Sequence, residues 1–305
     1  MTRDPVATAR RTWWAVLRRP ESAPAAPRRR LVVLPHSAAG PTALADVLGP
    51  VPADVEILGL ALPGRERRFN EPPGCTLDEV LDSAREELLD PDVETVLFGH
   101  SLGALLAFHV AGVLGDSCKA LVIGGQVPGG CRMVLDARTP QEMYEVLLAG
   151  GGTTAEVLEN PYLLKAVTRI LAADVALGKE TSDRGARCVD APLFVLAAHD
   201  DPLAPSDQMP QWASWTRGSC ELVALEGQHF ALLAPENRPL VADVLERALR
   251  RAGAGALRSG RGTPEGAAEG REVLPAPPSQ APPLFFSVWG GGENNKATRG
   301  LCFSE

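Results

Sequence analysis

The chain predicts an α/β fold, a mostly parallel central sheet flanked by helices with a helical lid insertion, and three observations carry that expectation. The apolar run Val96-Leu97 leads through Phe98-Gly99-His100-Ser101-Leu102-Gly103-Ala104 into the apolar stretch 105–111, which sets G-x-S-x-G between a strand and a helix. Two later strands, 193–197 and 221–225, each end on a loop rich in chemistry: Ala198-His199-Asp200-Asp201-Pro202 after the first and Glu226-Gly227-Gln228-His229-Phe230 after the second. Between Leu121-Val122-Ile123 and 193–197 the apolar spacing changes from that of strands to that of helices.

Taken along the chain, residues 1–27 are rich in Ala, Pro and Arg and read as a flexible extension. Within it, Arg10-Arg11 ahead of Trp13-Trp14-Ala15-Val16-Leu17 resembles an export signal. Arg18-Arg19-Pro20 ends that apolar run at about six residues, short of the roughly 7 to 15 such a signal needs. The basic run Arg28-Arg29-Arg30 is read as a solvated lead-in to the first sheet strand, Leu31-Val32-Val33-Leu34.

The main domain is expected over 28–252, with a lid over approximately 129–187. In the lid, 140–148 and 156–177 carry apolar residues at helical spacing, and Gly150-Gly151-Gly152 and Asn160-Pro161 mark hinges between helices. An apolar stripe of this kind is ordinarily core, and here it also suits the wall of an apolar channel. Residues 253–305 are dominated by Gly, Ala, Pro and Glu, too few apolar side chains to offset chain entropy, and read as a disordered tail.

Ser101 is the candidate nucleophile. The flanking glycines let the chain turn sharply and push the hydroxyl out at the carboxyl end of its strand, beside the N–H of Leu102. A serine hydroxyl needs a base, and the base needs an orienting acid. The order Ser, Asp, His along the chain and the strand-end positions point to His229 as base, with the acid on the 199–201 loop. Asp200 and Asp201 compete for that role. Of the remaining histidines, His100 is read as packing beside the nucleophile, His109 as a buried or half-buried helix residue, and His199 as a neighbour of the acid without a partner at metal-ligand spacing. Gly124-Gly125-Gln126-Val127-Pro128-Gly129-Gly130 lacks the spacing and strand context of a dinucleotide loop, so no nucleotide cofactor is expected.

Composition narrows the function classes. A chain of 305 residues, 45% hydrophobic, can bury a full core. A net charge of −8 argues against a nucleic-acid binder, which needs clustered Lys and Arg. No stretch reaches the roughly 18 apolar residues of a membrane span, so a cytoplasmic protein without a membrane partner is expected. The six cysteines show neither metal spacing nor a compact disulfide framework and read as reduced thiols; no metal is expected.

These residues also resemble a family, the type II thioesterases, discrete α/β-hydrolases that accompany modular polyketide and nonribosomal peptide synthases. The resemblance runs from about 28 to 251. Leu34-Pro35-His36-Ser37-Ala38-Ala39-Gly40 is similar to the family's Pro-His-Ala-Gly-Gly loop. Leu62-Pro63-Gly64-Arg65-Glu66 is similar to its Leu-Pro-Gly-Arg-Glu signature, which is more specific than the elbow. Gly151-Gly152-Thr153-Thr154, Ala172-Ala173-Asp174, Asp201-Pro202-Leu203 and Gly227-Gln228-His229-Phe230 are similar to further family segments. The chain departs from the pattern where Ala38-Ala39 replace paired glycines. That loop gives the family its second oxyanion donor, and either the Ser37 or the Ala38 N–H fills the role here.

The resemblance implies a serine thioesterase with no cofactor of its own, and since the family's acid directly precedes the proline it favours Asp201, before Pro202, over Asp200. Such an enzyme acts on acyl groups carried by the phosphopantetheine arm of acyl or peptidyl carrier proteins and clears stalled or misprimed chains, and a monomer is expected. With fewer than 30 residues ahead of the first strand, a discrete enzyme is expected rather than the end of a synthase. A small-molecule serine esterase or acyltransferase would share the triad; a noncatalytic binding protein of the fold would ordinarily have lost one member of it.

Overall fold

The computed structural model describes residues 13–21, 29–185 and 188–256. Seven strands are described: β1 (Trp14–Arg18), β2 (Arg29–Leu34), β3 (Glu56–Leu60), β4 (Glu94–His100), β5 (Cys118–Gly124), β6 (Leu193–Ala198) and β7 (Cys220–Leu225). They form one sheet in the order β1-β3-β2-β4-β5-β6-β7, parallel throughout except for β1 against β3.

Both faces of this sheet are covered, which is why its strands read as nearly unbroken apolar runs. Alternate residues serve opposite sides. Val32, Leu34, Leu97, Leu121 and Val195 pack with α1 (Leu77–Glu87) and α2 (Leu102–Leu114). On the other side, Leu31, Val33, Val96, Val122 and Phe194 pack with the helix Arg238–Ala256.

Between β5 and β6 the chain runs through α3 (Arg132–Leu135), α4 (Pro140–Gly150), α5 (Ala155–Glu159) and α6 (Pro161–Arg184), and α7 (Arg238–Ala256) follows β7. The breaks fall at Gly151, which caps α4 in the left-handed conformation, and at Asn160, whose side chain accepts from the N–H groups of Tyr162 and Leu163 ahead of α6. Thr139 with Glu142 forms a capping box that starts α4. The lid's helices are thus set by local signals; Met143, Val146, Leu171 and Val175 then bury a small core of their own.

One expectation is corrected. Residues 14–18, inside the extension read as flexible, form β1 on the sheet edge, pairing Trp14 with Leu60 and Ala15 with Gly59. The indole of Trp14 is buried in the core, and the guanidinium of Arg68 lies over the ring of Trp13 at 4.3 Å. The drive is this tertiary burial, which composition does not reveal. Residues 1–12, 22–28 and the tail from 257 onward lie outside the described residues.

The elbow's glycines are dictated by contact. A Cβ on Gly103 would stand 1.9 Å from the Leu34 carbonyl oxygen, and one on Gly99 would stand 2.2 Å from the Gly103 carbonyl oxygen. Helix α2 is drawn against β2 at that point with no space for a methyl group. Gly103→Ala is expected to cost at least about 3 kcal/mol, because the obstacle is backbone rather than a movable side chain. Urea unfolding checks this, and a loss below 1 kcal/mol would be inconsistent with so close an approach.

Candidate active site

Four loops at the carboxyl ends of parallel strands converge, as expected of open α/β sheets. The turn from β4 into α2 carries Ser101, the loops after β6 and β7 carry Asp201 and His229, and the loop after β2 carries residues 36–40. Ser101 sits at φ 55° and ψ −119°, a conformation that L-residues adopt only at a cost, and its N–H donates to the Gly124 carbonyl at 2.9 Å. This strained turn is the feature that the G-x-S-x-G spacing implied.

Asp201 and His229 are both buried and in contact. The Nδ1 of His229 lies 2.8 Å from Asp201 Oδ2. The other oxygen, Oδ1, accepts from the N–H groups of Leu203 at 2.9 Å and Ala204 at 3.1 Å, so the carboxylate is held on both sides. Asp200 faces solvent and pairs with Nδ1 of the exposed His199 at 2.6 Å, which draws the His199 pKa upward. The two aspartates separate cleanly, Asp201 against His229 and Asp200 on the surface.

Ser101 and His229 open onto one cavity of about 260 Å³, whose roof is the lid: Val134, Val146, Leu147, Val157, Val167 and Leu171 line it. Phe230 closes one side, its ring edge-on to His36 at 4.7 Å and to His229 at 5.1 Å. The apolar stripe of α6 therefore has both of the roles its sequence suggested, packing and cavity wall.

The remaining histidines are accounted for. His100 is fully buried, its ring 4.9 Å from that of His229 and resting where a side chain on Gly125 would otherwise be, so Gly125 and its positive φ serve packing and not phosphate binding. His109 Nε2 meets the Thr181 carbonyl at 3.1 Å and ties α2 to α6. His36 borders the cavity.

Burial, with the nearby charges of His229 and Arg65, pushes the His36 pKa from 6.5 down to about 4. Burial likewise holds His100 well below the ordinary histidine value. Both rings are therefore neutral near pH 7, which keeps a second positive charge away from His229.

Neutral burial of these rings makes the stability of the fold depend on pH. Between the unfolded pKa of 6.5 and the lower folded value, the unfolded chain binds more protons, so stability is complete above 6.5 and declines as pH falls toward about 4. A loss of roughly 1–3 kcal/mol between pH 7 and pH 5 is expected in urea unfolding. A stability flat across that interval would contradict neutral burial of these rings. The surface pair His199–Asp200 has the opposite sign and contributes little.

Of the two N–H groups considered for the second oxyanion donor, that of Ala38 is already engaged: it donates to Asp174 Oδ2 at 2.7 Å. The same carboxylate accepts from both terminal guanidinium nitrogens of Arg65, each at 2.7 Å. In the sequence Arg65 and Asp174 stand only within segments similar to the family's, and no local pattern joins them. The available signal was an aspartate between Ala173 and Val175 on the buried stripe of a lid helix.

Among the described residues no cluster of His, Cys, Asp and Glu could hold a metal ion, and no helix is long and apolar enough to cross a membrane.

The model of the thioesterase domain family matches residues 29–249. A probable cadicidin biosynthesis thioesterase of Streptomyces griseus is 31% identical over 237 residues, 75% of this chain and 65% of that relative's own length. Among solved structures, the RedJ thioesterase from the prodiginine pathway of Streptomyces coelicolor superposes with a TM-score of 0.64 at 27% identity, covering 76% of this chain and 97% of its own. The type II thioesterase BorB from the borrelidin biosynthetic cluster gives 0.64 at 25% identity, covering 78% and 98%. With its elbow, its buried Asp–His pair and its lidded apolar cavity, the chain belongs to the thioesterase family of the α/β-hydrolase fold and stands with the type II thioesterases.

Proposed function

We propose that this protein is a serine thioesterase that hydrolyses acyl groups from the phosphopantetheine arm of acyl or peptidyl carrier proteins, removing aberrant or stalled chains from polyketide or nonribosomal peptide assembly. The observation that carries the chemistry is the opening of Ser101 and the Asp201-backed His229 onto one apolar cavity beneath the lid. An acyl chain suits the apolar roof; a polar small-molecule ester does not use it.

In this reading His229 takes the Ser101 proton as the hydroxyl attacks the thioester carbon, and Asp201 holds the imidazole in the tautomer with Nδ1–H and stabilises its charged form. The oxyanion is received by the N–H of Leu102, at the start of α2, and by that of Ser37, since Ala38 N–H is bound to Asp174. The pantetheine thiol departs with the proton from His229, and water activated by the same imidazole clears the acyl-serine. The enzyme brings no cofactor; phosphopantetheine arrives with the substrate. It acts as a cytoplasmic monomer on a carrier that delivers the arm to the cavity.

The test is hydrolysis by the wild-type enzyme of an acetyl- or propionyl-loaded carrier protein, beside the matched oxygen ester. Faster turnover of the loaded carrier is expected. An intact loaded carrier with rapid ester cleavage would overturn the editing role and leave a small-molecule esterase.

A further inference from the structure

The pair Arg65–Asp174 takes no part in the chemistry above, yet it is buried, with side chains only 5% and 3% exposed, and it touches the loop that faces Ser101. A buried ion pair by itself is weak evidence of purpose. What distinguishes this one is its third partner. Asp174 Oδ2 accepts from the N–H of Ala38, and Ala38 lies at φ 62°, in the left-handed region where alanine is disfavoured and glycine usual.

The residue after Arg65 holds the same loop farther along: Glu66 Oε1 accepts from the N–H and the hydroxyl of Thr42. Its carboxyl group occupies the place where a side chain on Gly40 would be. One turn, Gly64 to Glu66, therefore grips the loop at residue 38 through Asp174 and at residue 42 directly. Asp174 itself is carried by α6, whose Val167 and Leu171 line the cavity.

We propose that Asp174, fixed by Arg65, is a positioning residue for the oxyanion hole: it captures the Ala38 N–H, holds the loop in its strained turn, and so presents the Ser37 N–H beside that of Leu102. Because the carboxylate belongs to α6, the hole is complete only while the lid helix is seated. The glycines that would ordinarily relax this turn are replaced by Ala38-Ala39, so the chain depends on the carboxylate to keep a conformation alanine resists.

The inference rests on Ser101 as nucleophile, and the experiment keeps the two apart. Wild type, D174N and R65M/D174L are compared on a small acyl-N-acetylcysteamine thioester, which removes any dependence on a carrier. The double variant leaves no stranded buried charge, so its fold is retained where a single deletion would be at risk. R65M/D174L is expected to lose about 10²-fold in kcat with KM changed less than about threefold, the signature of a donor that acts in the transition state, whereas D174N, whose amide oxygen still accepts from the Ala38 N–H, is expected to lose less than the double variant.

A trifluoromethyl ketone gives the second readout. Ser101 Oγ adds to its carbonyl carbon, the C=O π bond becomes the oxyanion, and the hydroxyl proton passes to His229. Its affinity is expected to fall by the same factor as kcat, while melting temperatures of D174N and the double variant fail to track the loss. A folded R65M/D174L with wild-type kcat and ketone affinity would overturn the proposal, as would a loss confined to KM. If wild type itself neither cleaves the thioester nor binds the ketone, the serine mechanism fails instead.

Discussion

Ser101→Ala is expected to lower kcat for thioester hydrolysis by on the order of 10⁶-fold, because the nucleophile acts as a unit with its base and neither retains value alone. The substitution removes one oxygen atom from a turn whose shape is held by Gly99, Gly103 and the hydrogen bond to the Gly124 carbonyl, so the fold should be undisturbed. If anything, the strained conformation at φ 55° is unchanged in cost, since alanine and serine share the same Cβ restriction. The measurement is twofold: steady-state turnover, and mass spectrometry of the protein after brief exposure to substrate. Wild type should show an acyl adduct on Ser101 and the variant none. Residual activity within tenfold of wild type would assign the nucleophile elsewhere.

Asp201→Asn is expected to lower kcat by about 10⁴-fold, and Asp200→Asn by less than about twofold. The reason lies in the two backbone donors behind the carboxylate. In the variant, the N–H groups of Leu203 and Ala204 require an acceptor at the Oδ1 position, so they select the amide oxygen and turn the amide nitrogen toward His229. His229 Nδ1 must then accept a hydrogen bond, which places its proton on Nε2, the wrong tautomer for a base that takes a proton from Ser101. Asp200 has no such leverage; it is exposed and its partner is the exposed His199. The check is kcat for each variant across pH, with the imidazole proton followed by NMR. A crippled D200N beside a nearly normal D201N would reverse the assignment.

The parts of this site that were legible in the chain are the local ones. A nucleophile on a glycine-flanked turn needs only its immediate neighbours to be recognised, since the requirement for G-x-S-x-G is a steric property of a single strand-to-helix turn. Asp201 and His229 were legible because each follows a strand directly, and parallel strands deliver their following loops to one edge of the sheet. The lid helices were legible in their apolar spacing and in the breaks at Asn160-Pro161 and the glycines at 150–152; the Thr139–Glu142 capping box that starts α4 was shown by the structure.

Contacts between distant segments were not legible. The extension around Trp14 looked unstructured because its stabilisation comes from pairing with β3 and burial against a core assembled from other elements. The loop at 37–38 offered two equivalent N–H groups, and no local rule separates neighbouring peptides on one turn.

By itself, then, the sequence determined the α/β class, the elbow with Ser101, the loops of Asp201 and His229, and the apolar character of the lid, all of them consequences of short-range sterics and periodicity. Only the tertiary structure decided that Asp201 and not Asp200 backs His229, that β1 completes the sheet edge, and that Ala38 N–H is bound by Asp174, 136 residues away along the chain. Those choices depend on which side chains folding brings within hydrogen-bond reach and seals from water, and local spacing carries no information about them.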